Sequence, residues 1–447
     1  MKPNTFHLVS LGCAKNTVDS TTMGNLLAKQ GYIFEDDPAK AEVIIVNTCG
    51  FIRPAREEAI ETINELSKKK SKKQILVAAG CMAEKFSDEL KTHCKKIDAF
   101  LGTRKINQIT QVLNNLKSGT SLRSITPQFD MDRLSQYALQ GNSAYLKIAD
   151  GCSRRCAFCG IPNIKGEWHS RPVEEILRDA AELDAQGIRE LILIAQDTTA
   201  YGIDRGEKDA LPKLLEQVEK AAPNIPWIRI LYAFPGFVSD HLIDLMAEDN
   251  HILPYLDIPL QHAHPDTLKR MLRPSDMDSV RKTLEYMRKR MPHIAIRSTF
   301  ITGFPGETEE EFTALYQFIE AMEFDRVGVF PYYSEKDTPS AKLADDVPEE
   351  VKLERQEHLY LLQQEISHDI NLRFVGKTLD VLIEGVQEDG MLIGRSYRDA
   401  PEIDGLVFVS GDAPLGEIVP VQITGTVGDY DLIGSSLIAS QASSRVS

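Results

Sequence analysis

Residues 151–160 read Gly151-Cys152-Ser153-Arg154-Arg155-Cys156-Ala157-Phe158-Cys159-Gly160, a Cys-x3-Cys-x2-Cys run just past the apolar segment Tyr145–Ile148. Three thiolates on one tight loop can hold three irons of a [4Fe–4S] cube and leave the fourth iron without a protein ligand. Arg154 and Arg155 favour the thiolate form. Zinc is the alternative occupant. It takes four ligands, commonly in C-x2-C pairs, and neither Cys94 nor His169 stands at such a spacing as a fourth ligand. The uneven x3/x2 spacing favours the cluster. Its open iron can chelate the amino and carboxylate groups of S-adenosylmethionine (SAM), and one electron from the cluster then cleaves that cofactor to a radical.

Downstream of the loop, apolar runs at Leu191–Ala195, Ile228–Tyr232, Tyr255–Ile258, Ile296–Ile301 and Val327–Phe330 alternate with helical patterns such as Val173–Gln186 and Thr308–Met322. With Tyr145–Ile148 these make six parallel strands with covering helices, a partial or complete β/α barrel. The cysteine loop then sits at the carboxyl ends of the strands, where such folds keep their chemistry. A long amphipathic helix, about Glu349–Asn371, closes the block. Beyond it, short alternating runs (Leu379–Ile383, Met391–Arg395, Ile418–Ile423) between Gly and Asp turns predict a small antiparallel barrel.

Upstream, strands Phe6–Ser10, Val43–Val46, Ile75–Ala79 and Ala99–Leu101 alternate with helices Thr17–Gln30, Pro54–Ser67 and one from about Ala83. Continuously apolar strands in βαβα order predict a parallel sheet in a flavodoxin-like α/β domain. Cys13, Cys49 and Cys81 each lie one to three residues past a strand's carboxyl end, beside Gly12, Gly50 and Gly80. Ligands of open α/β sheets gather at those ends, so three thiols distant in sequence can converge. Taken singly, each would be an inert buried thiol, which is the reading for Cys94. The boundaries expected are 1–118, a polar linker 119–142, 143–371 and 372–440.

The chain has 447 residues, a net charge of −15 and seven cysteines. No apolar run is long enough to span a membrane, and the N-terminus lacks the pattern of a signal peptide. A cytoplasmic protein is expected, with its odd number of cysteines serving metal or catalysis rather than disulfides. An acidic chain is a poor general nucleic-acid binder and suits a basic partner. The run Lys68-Lys69-Lys70-Ser71-Lys72-Lys73 reads as a solvated helix end at the negative pole of the dipole.

Cys152, Cys156 and Cys159, with Phe158 before the last, resemble the radical SAM signature. The stretch Gly151–Pro172, together with Ser10-Leu11-Gly12-Cys13, Asn47-Thr48-Cys49 and Gly80-Cys81, is similar to the methylthiotransferase branch of that family, over essentially the whole chain. The resemblance implies an auxiliary [4Fe–4S] cluster on Cys13, Cys49 and Cys81, a radical SAM cluster on Cys152, Cys156 and Cys159, and a C-terminal TRAM domain. It also implies an enzyme that uses one SAM as methyl donor and one as radical source. Gln196, Asp197, Gln261, Arg297, Gly303 and Glu307 are expected to contact SAM. Each has a plain reading beside this: a polar turn for Gln196-Asp197, and a tight turn with Glu at a helix start for Gly303–Glu307. His262 and His264 read as structural.

Two branches of the family differ in substrate, one acting on an adenosine of tRNA and one on the β-carbon of an aspartate of the twelfth small-subunit ribosomal protein. The stretches Tyr255–His262 and Arg395–Gly405 look like the ribosomal-protein branch. From Asn371 onward there are five cationic and eleven acidic side chains, a net charge of −6. Gripping RNA needs the opposite sign. The expectation is therefore a basic ribosomal protein as substrate, with an electron donor such as a flavodoxin or ferredoxin, no membrane, and tRNA as the weaker alternative. Asp399, Glu402 and Asp404 are candidate substrate contacts, with solvated surface as the alternative. The rival of another class is a non-catalytic zinc-binding scaffold on the ribosome.

Overall fold

The computed structural model describes residues 4–118 and 134–438. Most of the expected linker (119–133), the end of the last expected domain (439–440) and Arg445 lie outside the described residues.

The N-terminal domain is one parallel sheet of β1 (Thr5–Ser10), β2 (Ile33–Phe34), β3 (Val43–Thr48), β4 (Ile75–Gly80) and β5 (Ala99–Gly102), in the order β2-β1-β3-β4-β5. This is the flavodoxin-like order. Every residue of the central β3 is buried, so its apolar run has no alternation to show. Cys13, Cys49 and Cys81 follow β1, β3 and β4, at one edge of the sheet. Cys94 is buried under the opposite face of β3 among Ile44, Val46, Ala59 and Ile63.

The central domain is an open seven-stranded sheet. It begins with β6 (Tyr137–Gln140) and β7 (Ser143–Lys147), followed by a two-residue pairing of β8 (Ala149–Asp150) with β9 (His169–Ser170). The rest are β10 (Glu190–Ile194), β11 (Trp227–Ile230), β12 (Ile252–Asp257), β13 (Ala295–Thr302) and β14 (Arg326–Pro331), in the order β14-β13-β12-β11-β10-β7-β6. The barrel is thus partial. Six strands are parallel, as expected. The seventh, β6, falls in the stretch read as linker and pairs antiparallel with β7 across a turn at Gly141. Its four residues are too few for a periodic signal, and as an edge strand it leaves Leu139 half exposed.

The C-terminal domain closes a barrel from β15 (Thr378–Val386), β16 (Leu392–Ser396), β17 (Val407–Ser410), β18 (Ile418–Val427) and β19 (Asp431–Ser436). It is not wholly antiparallel. The hairpin from β18 turns the chain back so that β19 runs beside β17 in the same direction.

The segment after β16 docks onto the amino ends of the central strands. Arg395 meets Glu190 at 2.7 Å, Arg229 meets the same carboxylate at 2.6 Å, and Arg326 meets Asp399 at 3.0 Å. Leu382 and Ala400 pack with Trp227, Leu253, Tyr255 and Ala295, closing this end of the barrel. At the carboxyl ends, the helix Ala14–Lys29 of the N-terminal domain brings Ala14 and Val18 into the same apolar cluster. The barrel interior is therefore bounded by a different domain at each end.

Candidate active site

The cysteine loops of the N-terminal domain lie directly on one another. A Cβ on Gly12 (φ +91°) would sit 2.7 Å from the Cβ and 3.0 Å from the Sγ of Cys49. A Cβ on Gly50 would sit 3.1 Å from the carbonyl carbon of Cys81. Only glycine allows such approaches. Burial pushes the Cys81 thiol up to about 12, with Lys165 opposing this and ionised Cys13 and Cys49 reinforcing it. Burial also raises Cys49, partly offset by the Phe51 N–H. Without metal these thiols stay protonated, so binding an electron-poor centre there releases protons.

The second triad sits past β8. Cys152 Sγ accepts the Arg154 N–H at 3.4 Å, and Arg273 Nη1 lies 3.6 Å from Cys156 Sγ. Arg154 pairs with Asp197 at 2.8 Å and lies 3.6 Å from the centroid of the Phe237 ring. Burial raises Cys159 to about 12 and Cys152 to about 11; ionised Cys156 adds to both, and Arg273 and Arg154 respectively oppose the rise.

The two triads border the same interdomain seam. The helix Ile161–Lys165 directly follows Cys159, and its Lys165 meets Asp19 of the first helix at 2.7 Å. Lys147 at the end of β7 meets the other oxygen of Asp19 at 2.8 Å. Arg104 donates to the carbonyls of Ile164 and Asn163 at 2.8 Å and 3.0 Å. Both loops thus belong to the seam between the sheet edge of one domain and the barrel mouth of the other.

The donor set fits iron–sulfur cubes better than zinc. Each triad offers three thiols, one fewer than a structural zinc site takes. A cube binds each thiolate to a different iron and can leave its fourth iron open. Gln196 also fits a SAM site. Its amide donates to Asp150 at 3.2 Å, and its buried Oε1 has no partner, an acceptor open to an ammonium group.

Several expected contacts are engaged elsewhere. Asp197 holds Arg154 and Thr199. Arg297 meets Asp257 at 3.1 Å and Asp404 at 3.4 Å, so a residue expected on the cofactor and one expected on the substrate pair with each other. Asp404 also accepts from Tyr255 at 2.6 Å, and Asp399 is buried against Arg326. These two acids join the C-terminal barrel to the central one at the end away from the cysteines. Both are paired within the protein rather than free on its surface. Glu402, which accepts from Gln140 and remains exposed, lies at the same joint. Glu307 is buried between Arg355 (2.7 Å) and His262 (3.4 Å), and it accepts the Gly303 N–H at 3.0 Å. Gln261 (φ +76°) bridges to the backbone of β13, its N–H donating to Thr299 at 2.8 Å. Sequence reasoning missed Arg273, Tyr232 and Lys15. Of these, only Lys15 carried a signal: it is a cation two residues past Cys13, a candidate ligand.

Three family models match: Uncharacterized protein family UPF0004 over residues 5–102, the Radical SAM superfamily over 146–319 and the TRAM domain over 375–437. Ribosomal protein uS12 methylthiotransferase RimO of Thermoanaerobacter sp. (strain X514) is 44% identical over 436 residues, 96% of this chain and 98% of that protein. The protein of the same name from Chloroflexus aurantiacus is 46% identical, covering 97% and 99%. The chain belongs to the uS12 methylthiotransferase family. It is accordingly a radical SAM enzyme and a transferase. Among solved structures, the radical SAM methyltransferase TsrM from Kitasatospora setae, with cobalamin and a [4Fe–4S] cluster bound, aligns with a TM-score of 0.56 at 14% identity, covering 76% of this chain and 74% of that one. That likeness speaks to the fold. The triad Cys152, Cys156 and Cys159 lies inside the matched radical SAM segment, and Cys13, Cys49 and Cys81 inside the UPF0004 segment.

Proposed function

We propose that the chain adds a methylthio group to the β-carbon of an aspartate of ribosomal protein uS12. The observation that carries this reading is the pair of three-thiol sites on opposite walls of one seam, joined through Asp19, Lys147 and Lys165. Cys152, Cys156 and Cys159 would hold a SAM-binding cluster, and Cys13, Cys49 and Cys81 an auxiliary one. When bound, these groups supply radical cleavage of SAM and a sulfur to transfer. The chain's own residues bind and orient. Gln196 offers its free oxygen to the cofactor's ammonium. The apolar wall of Ala14, Val18, Ile194 and Leu231 excludes water from the barrel interior.

A protein substrate is supported by charge. Within the C-terminal barrel, Arg395, Arg398, Asp399 and Asp404 are engaged internally. Among its described residues that leaves Arg373 and Lys377 against nine acids, a balance that disfavours RNA and suits a basic protein. A small one-electron donor such as a flavodoxin or ferredoxin would supply the reductant. No helix of the described residues is long and apolar enough to cross a membrane, and we infer a cytoplasmic enzyme. The test is mass analysis of uS12 and of bulk tRNA after incubation with reconstituted enzyme, SAM and reductant. A mass gain of one methylthio group on uS12 alone is expected, and a gain on tRNA alone would overturn the reading.

A further inference from the structure

The first helix opens Cys13-Ala14-Lys15-Asn16, and Lys15 is only 9% exposed. Other buried lysines in this protein have carboxylate partners: Lys147 and Lys165 share Asp19, and Lys352 takes Asp345. Among the described residues Lys15 has no carboxylate at ion-pair distance. Its ammonium instead lies 3.2 Å from the centroid of the Tyr232 ring. A ring face attracts the charge but leaves the hydrogen-bond donors of the ammonium poorly used. A buried cation without an anion is costly, and an unmatched charge in a cleft is a candidate for ligand binding.

The surroundings say where that ligand would lie. Tyr232 follows β11 at the barrel mouth in a left-handed conformation (φ +64°). Its carbonyl accepts the Thr198 N–H at 3.0 Å, and its N–H donates to Asp257 at 3.2 Å. Thr198 is next to Asp197, the partner of Arg154 on the Cys152 loop. Asp257 is occupied by Arg297 at 3.1 Å and is not free for Lys15. Lys15 therefore stands at the seam beside the first triad, two residues past Cys13, with no carboxylate paired to it among the described residues and with Tyr232, Cys13 and Asp257 favouring its charged form over the cost of burial.

We propose that Lys15 binds the carboxylate of the substrate's acidic side chain and so places the adjoining carbon between the two thiol sites. The inference rests on the protein-substrate reading. SAM also carries a carboxylate, but the acceptor free for that cofactor, Gln196 Oε1, is beside Asp150 next to the Cys152 loop, whereas Lys15 belongs to the auxiliary wall. An ammonium is a point charge with rotatable donors, suited to one carboxylate of a flexible loop.

The test uses reconstituted holoenzyme and two forms of the uS12 loop peptide, one with the target aspartate and one with asparagine there. Wild type is expected to bind the aspartate form roughly ten- to a hundredfold tighter, the range for a charge-assisted hydrogen bond. Lys15→Met should bring that ratio close to one, and Lys15→Arg should restore most of it. Iron content reports folding, and Lys15→Gln serves if the methionine variant loses its clusters. An unchanged ratio in the neutral variants would overturn the proposal. So would weaker binding of SAM with the peptide ratio intact, which would assign Lys15 to the cofactor. Wild-type enzyme that cleaves SAM but binds neither peptide would overturn the protein-substrate reading itself, and this proposal with it.

Discussion

The carboxylate of Asp19, on the first helix of the N-terminal domain, takes the ammonium of Lys165, six residues past the last radical SAM cysteine, at 2.7 Å with both side chains buried. Lys147 completes the bridge at 2.8 Å. Asp19→Asn would leave the two buried ammonium groups of Lys147 and Lys165 to share Asp150 alone, at 3.2 Å and 3.5 Å. Breaking a buried pair in this way costs about 3–5 kcal/mol. The distance between the two thiol sites depends on this contact. The variant should therefore lose methylthio transfer more steeply than SAM cleavage, read by quantifying modified uS12 and 5′-deoxyadenosine in the same reaction.

At the other end of the barrel the joint depends on Glu190. Burial alone would raise its carboxyl, but Arg229 and Arg395 outweigh burial and hold it down from 4.5 to about 2. A depressed folded-state pKa gives stability that is full above the unfolded value and fades as the pH falls through the folded one. Docking of the C-terminal barrel should weaken between about pH 4.5 and about 2, followed as the loss of protection from proteolysis in the 372–378 connection. Glu190→Gln should lower the thermal midpoint at pH 7 and remove this acid limb. An unchanged limb in the variant would place the acid sensitivity elsewhere.

The two triads should be separable by chemistry. Cys156→Ala is expected to halve bound iron from about eight to about four per chain and to abolish formation of 5′-deoxyadenosine. Cys49→Ala should halve the iron too, but the loss it shows in the mass assay should be of sulfur insertion. Colorimetric iron, together with the mass assay, checks both. A colourless protein holding zinc after anaerobic purification would contradict both assignments.

Gly12→Ala tests the packing of the auxiliary loops. The added methyl meets Cys49 Cβ at 2.7 Å in a backbone conformation (φ +91°) that disfavours side chains. Strain at such a position costs about 1–3 kcal/mol. The variant should lose the auxiliary iron while keeping the iron of the Cys152 loop, so iron per chain should fall to about half.

Much of this was legible in the residues. β1, β3, β4 and β5 and the six parallel strands β7 and β10–β14 are where apolar runs placed them, because strands covered on both faces leave long uninterrupted signals. Strand β6 was not legible, being four residues at a sheet edge, two of them buried. The parallel pairing of β17 with β19 was not legible either, since a strand's sequence does not show its neighbour's direction. The acids of Arg395–Gly405 read as substrate contacts, with solvated surface as the alternative, because charged residues are mostly exposed. Their partners, Arg297 on β13 and Arg326 at the start of β14, are about a hundred and about seventy residues away in the chain.

Taken alone, the sequence determined which atoms can do chemistry here. Six thiols in two spacings, each set at strand ends beside glycine, point to the incompletely ligated metal sites proposed here, because local backbone geometry follows directly from local residues. Only the tertiary structure decided which charges face a ligand and which face each other. Burial and pairing depend on contacts made across domains, and those contacts leave Lys15 without a paired carboxylate while Asp399 and Asp404 are paired with arginines of the central domain.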